Sequence, residues 1–175
     1  MKKDLFAIAV ILFALILIIT GTKIQSVEDY YLTHLDDIKE DSETVFLTVV
    51  CHEALKEGAG LSSSLAEILP TDGIILARTE YVLRPNDSVY DILDRAVRHN
   101  RIAAEYVHSV DGSVYVKGMG HLYEYDCGPL SGWVFHVNGV SPTDSCDRTL
   151  LSDGDEILWY FTCDLGGVNR SQTDE

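Results

Sequence analysis

The residue types that could do covalent chemistry are four cysteines, Cys51, Cys127, Cys146 and Cys163. No two of them form a CxxC pair, and no cysteine and histidine have the spacing of a zinc site. In an exported domain, an even number of cysteines argues for two disulfides, and four cysteines allow three pairings. We therefore expect disulfide cysteines and no metal site.

Other side chains with catalytic potential do not converge in the sequence. His52 follows Cys51, but adjacent residues on a strand point to opposite faces, and a nucleophile needs its base close in space. Asp153 and Asp155 lie in a turn signal, and no EF-hand calcium loop or phosphate-binding glycine loop occurs. We predict no catalytic residues and no enzymatic activity.

Aromatic side chains could instead bind a flat organic ligand. In the stretch SGWVFHVNGV, residues 131–140, strand alternation places Trp133, Phe135 and Val137 on one face, and the strand ends at an Asn-Gly turn. These side chains could fill the core, or they could line a binding site with the nearby glycines and three tyrosines upstream. Both interpretations stay open for Trp133, whereas Trp159 is predicted to be a core residue.

The amino-terminal segment predicts a membrane anchor. Residues 5–20, LFAIAVILFALILIIT, carry no charge. Their length is near the lower limit for a membrane-spanning helix, about 20 residues, and slightly exceeds a signal-peptide apolar region. Lys2 and Lys3 precede them and favour a cytoplasmic amino end. We predict an uncleaved single-pass anchor at residues 1–22, with a cleaved signal peptide as the alternative.

Polar segments flank the predicted domain on both sides. Residues 23–43 are polar and acidic and are interpreted as a tether, and residues 167–175 as a polar tail. The domain is therefore placed at residues 44–166, outside the cell. The formal net charge of the chain is -15, which repels nucleic acid, so no nucleic-acid partner is expected.

The elements that must position these residues are several strands and one helix. Ser88 and Asp91 form a capping box, with Asp in place of Glu, at the start of a helix with one apolar stripe. The first strand, near residues 44–51, and the last, residues 156–163, are apolar on both faces and should be central. One helix on a mixed sheet is an α+β fold, and a parallel central pair of first and last strands makes it β-grasp-like.

That arrangement leads to a prediction about the cysteines. Cys51 and Cys163 would each follow one of the two central parallel strands, so they would be neighbours. Cys127 and Cys146 flank the Asn-Gly turn nearly symmetrically and could join its base. We predict the disulfides Cys51–Cys163 and Cys127–Cys146.

The domain resembles a known family over about residues 44–166. The stretches RPNDSVYDILDRAVRHN, GMGHLYEYDCGP, GWVFHVNG and DGDEILWYFT are similar to transcobalamin-like C-terminal domains, which occur in many exported bacterial proteins. The resemblance implies a β-grasp-like fold. In vertebrate members this small domain and a large helical domain hold cobalamin between them. Carried over by position, Trp133, Val134 and Phe135 would contact the ligand, and the large helical domain has no counterpart in this sequence.

We therefore predict a non-catalytic binding module that is anchored in the cell membrane by a single N-terminal transmembrane helix and displayed outside the cell. The predicted ligand is cobalamin or a related corrinoid, held together with a partner surface protein, and no other cofactor is expected. The alternative is an adhesion-type surface module that binds protein or glycan, for example by adding a strand to an open sheet edge.

Overall fold

The computed structural model describes residues 10, 13 and 37–165 of the chain. No helix within these residues is long and apolar enough to cross a bilayer. Most of the predicted anchor and most of the predicted tether lie outside the described residues, as does the tail beyond residue 165. The elements found are strands β1 (Thr44–Val50), β2 (Ile74–Val82), β3 (Ala104–His108), β4 (Val114–Met119), β5 (Leu122–Tyr123), β6 (Gly132–Val137) and β7 (Glu156–Thr162), and helices α1 (Ser63–Ala66) and α2 (Val89–His99).

The first and last strands lie side by side at the centre of a four-stranded sheet, in the order β2-β1-β7-β6. β1 and β7 run parallel, with Val50 opposite Tyr160, and the outer pairs are antiparallel. This confirms the predicted parallel central pair and the α+β class. One face of the central pair β1 and β7 is buried. The other face is partly covered, for example by the Arg78 guanidinium, which stacks 3.5 Å from the Phe46 ring centroid.

Helix α2 begins as its sequence predicts. The Ser88 hydroxyl accepts from the Asp91 backbone N–H at 3.3 Å, and the Asp91 carboxylate accepts from the Ser88 backbone N–H at 2.8 Å. This reciprocal pair satisfies donors that a helix start leaves free. The apolar stripe of α2 is buried in the same core as β1, β4 and β7, and consists of Val89, Ile92, Leu93, Ala96 and Val97.

The prediction of one mixed sheet was wrong for the strands between α2 and β6, which do not extend the four-stranded sheet. β3, β4 and β5 form a separate three-stranded antiparallel sheet. Between β4 and β5 the chain turns through Gly120 and His121, which have φ angles of 59° and 72°. A Cβ on Gly120 would lie 2.9 Å from the Ile75 side chain, so the turn packs tightly on β2. The irregular chain that follows leads into β6 without pairing it to β4.

Candidate functional site

The candidate site is a cleft with a volume of about 460 Å³. It lies between β4 of the smaller sheet and β6, the edge strand of the larger sheet. Its walls combine aromatic and aliphatic side chains from both strands, and a loop from Ser141 to Cys146 borders it. The lining residues include Tyr115, Val116, Trp133, Val134, Phe135 and Trp159. The structure thus brings together all three residues that the sequence proposed for ligand contact.

Trp133 belongs to the core as well as to the cleft. It is 4% exposed, and its ring packs edge-on against Phe161 with centroids 5.4 Å apart. Its indole N–H donates to the Leu122 carbonyl at 2.9 Å. Because this donor is already paired, Trp133 can offer a ligand ring surface but no hydrogen bond. Trp133 is therefore a core residue that also lines the cleft, and its contact with a ligand stays a prediction.

Trp159 has the opposite hydrogen-bonding state. It is 2% exposed and its ring is stacked on Phe135, with centroids 4.9 Å apart and planes tilted by 31°. Its indole nitrogen is buried and has no hydrogen-bond partner within residues 37–165. A buried unpaired donor costs about 1–3 kcal/mol, so this N–H would gain from an acceptor on a ligand.

The backbone of β6 adds further hydrogen-bonding groups at the cleft. Asn138 donates its N–H to Glu156 of β7, so by strand alternation the odd-numbered residues of β6 turn their N–H and C=O to the outer edge. At the ends of that edge, Ser131 and Val137 form backbone bonds within the chain. The described residues supply no partner for the outward groups of Trp133 and Phe135.

Tyr115 forms the opposite wall. Its hydroxyl donates to Glu124 at 2.9 Å, and it lies 3.4 Å from where a Cβ on Gly132 would be. Burial, reinforced by the Glu124 carboxylate, raises the pKa of Tyr115 to about 12. The hydroxyl therefore stays protonated at neutral pH and lies over the start of β6.

Cys146 closes the floor of the cleft as a thiol. Its Sγ donates to the Val114 carbonyl at 3.4 Å, and burial raises its pKa to about 12. The neighbouring Asp147 accepts from the Val114 N–H at 2.9 Å. These bonds tie the loop to β4, and the high pKa leaves Cys146 without nucleophilic character at neutral pH.

All four cysteines are free thiols in this structure, and the predicted pairing stays a prediction. The thiol of Cys127 donates a hydrogen bond to the sulfur of Cys163, and Cys51 lies close enough to influence the Cys127 pKa. The structure does not bring Cys127 to Cys146, because the irregular chain after β5 folds against the end of β7 instead. Cys51 and Cys163 do follow neighbouring strands, as predicted.

Residues with catalytic or metal-binding potential stay apart in the described part of the chain. Cys51 is buried while His52 is exposed. No cluster of three or more His, Cys, Asp or Glu side chains suited to a metal ion occurs within residues 37–165.

Sequence reasoning predicted Trp159 only as a core residue and so missed its place at the cleft, whereas Tyr115 was one of the three upstream tyrosines that it proposed. The signal for Trp159 was the pairing of β6 with β7, which places it opposite Phe135. That register depends on an 18-residue connection between the two strands, whose length the strand pattern does not fix.

Comparison with known proteins gives one family match. Residues 86–163 match the model of a family described as a domain of unknown function, DUF4430. This range runs from just before α2 to just after β7 and contains both walls of the cleft. No curated protein matches the chain.

Two solved structures have weak overall similarity to the chain. A protein from Ruminococcus gnavus ATCC 29149, provisionally described as metal binding, is 14% identical, with a TM-score of 0.41 over 69% of this chain and 96% of that one. Haptocorrin in complex with cobinamide (Cbi) is 8% identical, with a TM-score of 0.49 over 73% of this chain. The match spans 26% of the haptocorrin chain.

Proposed function

We propose that this protein is a non-catalytic binding module whose cleft between β4 and β6 holds part of an amide-bearing organic ligand. The observation that carries the proposal is the indole N–H of Trp159, a residue of the cleft lining, which is buried and has no partner within the described residues. The outward backbone groups of Trp133 and Phe135, two other residues of the cleft lining, also lack partners among the described residues. A ligand with amide groups can satisfy both kinds of site, because an amide carries a donor and an acceptor.

The size and walls of the cleft suit a small organic molecule. A cavity of about 460 Å³ falls within the range of about 300–1,000 Å³ typical of such sites. Aromatic rings on both sides, from Tyr115, Trp133 and Phe135, offer faces and edges to a conjugated or apolar group.

A corrinoid, cobalamin or cobinamide, is the ligand class we propose. It is larger than the cleft, so only one edge of the ring, with its acetamide and propionamide arms, would enter. A partner surface protein would cover the rest. The resemblance of residues 132–137 to the ligand-contacting strand of transcobalamin-like domains supports this choice, and the unpaired Trp159 N–H supplies a donor for an arm carbonyl.

Isothermal titration of the full-length protein with cobalamin and with cobinamide, alone and with candidate partners, tests the proposal. Trp159→Phe keeps an aromatic ring but removes the N–H, and should weaken binding about tenfold, the equivalent of one hydrogen bond. Leu158→Ala, on the same strand but on the opposite, exposed face, is the matched control and should bind as the wild type does. Equal affinity of Trp159→Phe and wild type would refute the role of the N–H. If neither corrinoid bound at high micromolar concentration in any combination, the proposal of a corrinoid ligand would be refuted.

A second candidate function rests on β6 being a sheet edge. An extended peptide could pair with the outward backbone groups of Trp133 and Phe135 and add a strand to the sheet. A protein-binding surface module of the adhesion type would then result. Peptides selected for binding should lose affinity when their backbone nitrogens are methylated. Unchanged binding of the methylated peptides would exclude strand addition, whereas corrinoid binding does not depend on it.

We also propose that residues 1–22 anchor the protein in the cell membrane with the domain outside. Alkaline carbonate extraction of membranes should leave the protein in the pellet, and protease added to intact cells should remove the domain. Release into the supernatant, or protection from the protease, would contradict the anchor or its orientation.

A further inference from the structure

Three cysteines meet at one end of the larger sheet. This thiol cluster consists of Cys51, Cys127 and Cys163. Cys51 follows β1 and Cys163 follows β7, and these strands are parallel neighbours. Cys127 arrives from the irregular chain between β5 and β6, and its thiol donates a hydrogen bond to the sulfur of Cys163.

Backbone contacts hold Cys127 beside Cys163. The N–H of Leu165 donates to the Leu130 carbonyl at 2.7 Å, which ties the chain after β7 to the chain before β6. The Cys127 N–H donates to the Ser131 hydroxyl at 3.1 Å. A Cβ on Gly60 would lie 3.1 Å from the Cys127 carbonyl oxygen, so a third segment packs over the same site. The two thiols are thus held together by fixed backbone rather than by flexible side chains alone.

The three thiols differ in their access to a reactant. Cys163 lines a shallow groove of about 330 Å³ with Glu53 and Lys56, and its backbone N–H donates to the Glu53 carboxylate at 3.3 Å. Cys51 is fully buried. A reagent can therefore approach Cys163 from the groove, whereas Cys51 is shielded by the core.

The electrostatic surroundings also favour Cys163 as the first of the three thiols to react. Burial and the Glu53 carboxylate raise the pKa of Cys163, whereas the hydrogen bond from Cys127 and the Lys56 ammonium oppose that rise. Burial, together with the hydrogen bond to Cys163, raises the pKa of Cys127 to about 12. Burial also raises the pKa of Cys51 to about 11. Since the thiolate is the attacking species, Cys163 is the cysteine of the cluster best placed to react first.

We propose that Cys127 and Cys163 form a reversible disulfide by exchange with a low-molecular-weight disulfide, with Cys163 as the attacking thiol. The Cys163 thiolate attacks one sulfur of the small disulfide, forms a mixed disulfide and releases one small thiolate. Cys127 then loses its proton and attacks the Cys163 sulfur, which releases the second small thiolate. The two cysteines lose two electrons and two protons, and the small disulfide is reduced to two thiols. Cys51 and Cys146 remain thiols.

Peptide mapping of the full-length protein tests this pairing. The reduced protein is incubated with oxidised glutathione, remaining thiols are blocked with N-ethylmaleimide, and the denatured chain is digested. Trypsin alone leaves Cys127 and Cys146 on one peptide, because no Lys or Arg lies between them. An aspartate-directed protease is therefore added, since Asp144 separates them. The expected result is a Cys127 peptide joined to a Cys163 peptide, with Cys51 and Cys146 carrying maleimide.

Single variants test the order of attack. Cys127→Ser should accumulate a stable glutathione adduct on Cys163, whereas Cys163→Ser should leave Cys127 unmodified. Cys146→Ser, the matched control, should form the same cross-link as the wild type. A wild-type map that joins Cys51 to Cys163 or Cys127 to Cys146, or that leaves all four cysteines blocked, would overturn the proposal without reference to the variants.

Discussion

Replacing each tryptophan by phenylalanine should separate folding from binding in the cleft. Both rings are almost fully buried and each packs on a phenylalanine, Trp133 on Phe161 and Trp159 on Phe135. Trp133→Phe removes the N–H that pairs with the Leu122 carbonyl and leaves that carbonyl buried without its donor. The lost bond and the smaller ring should reduce the free energy of unfolding by about 2–4 kcal/mol.

Trp159→Phe loses a similar ring area but removes a donor with no partner among the described residues. Relief of that desolvation penalty offsets the lost packing, so the free energy of unfolding should stay within about 1 kcal/mol of wild type. Urea unfolding followed by circular dichroism gives both values, and the midpoints of the two variants should differ by roughly 1–2 M at equal slope. Equal midpoints, or a lower midpoint for Trp159→Phe, would refute the assignment of the Trp133 N–H to folding and of the Trp159 N–H to binding.

Two further predictions concern charge. Asp87→Asn should lower the free energy of unfolding by about 3–5 kcal/mol, because it leaves the charge of Arg95 unpaired and the two side chains are 12% and 11% exposed. Asp94→Asn breaks a more exposed ion pair on the same helix and should lower it by less than about 1 kcal/mol in the same urea assay. Burial lowers the pKa of His136 in the folded protein, so the unfolded chain takes up this proton at a higher pH than the folded chain does. The contribution of His136 to the free energy of unfolding is therefore fully present above the ordinary histidine pKa of about 6.5 and is lost as the pH falls through the folded-state pKa. His136→Gln should abolish this part of the pH dependence. Identical pH profiles for variant and wild type, or equal losses in the two aspartate variants, would contradict these assignments.

Local signals predicted the frame of the domain well. The capping box of Ser88 and Asp91 and the apolar stripe behind it are set by neighbours in sequence, so the start of α2 could be read directly. The two-sided apolar pattern of the first and last strands likewise predicted their central, parallel pairing. Both features depend on periodicity and on residues a few positions apart.

The division into two sheets and the place of Cys127 could not be predicted in the same way. Both depend on how the irregular residues 120–131 pack, and that segment has no repeating pattern. Near-symmetry of Cys127 and Cys146 about a turn suggested a cross-link, but the chain around Cys127 is held to the end of β7 by the bond between Leu165 and Leu130. The state of the Trp159 N–H was equally hidden, because it depends on which acceptors surround it.

One short segment connects the two proposed sites. At one end Glu124 holds the Tyr115 hydroxyl at the cleft wall, and in the middle Cys127 donates to Cys163. At the other end Ser131 accepts from Tyr125 and leads into β6. A disulfide at Cys127 would restrict this segment, and a ligand against Tyr115 and β6 would restrict it too. Because disulfide formation and ligand binding order the same residues, each should favour the other. Thermodynamic linkage then requires the ligand to shift the thiol–disulfide equilibrium by the same factor by which the disulfide changes ligand affinity.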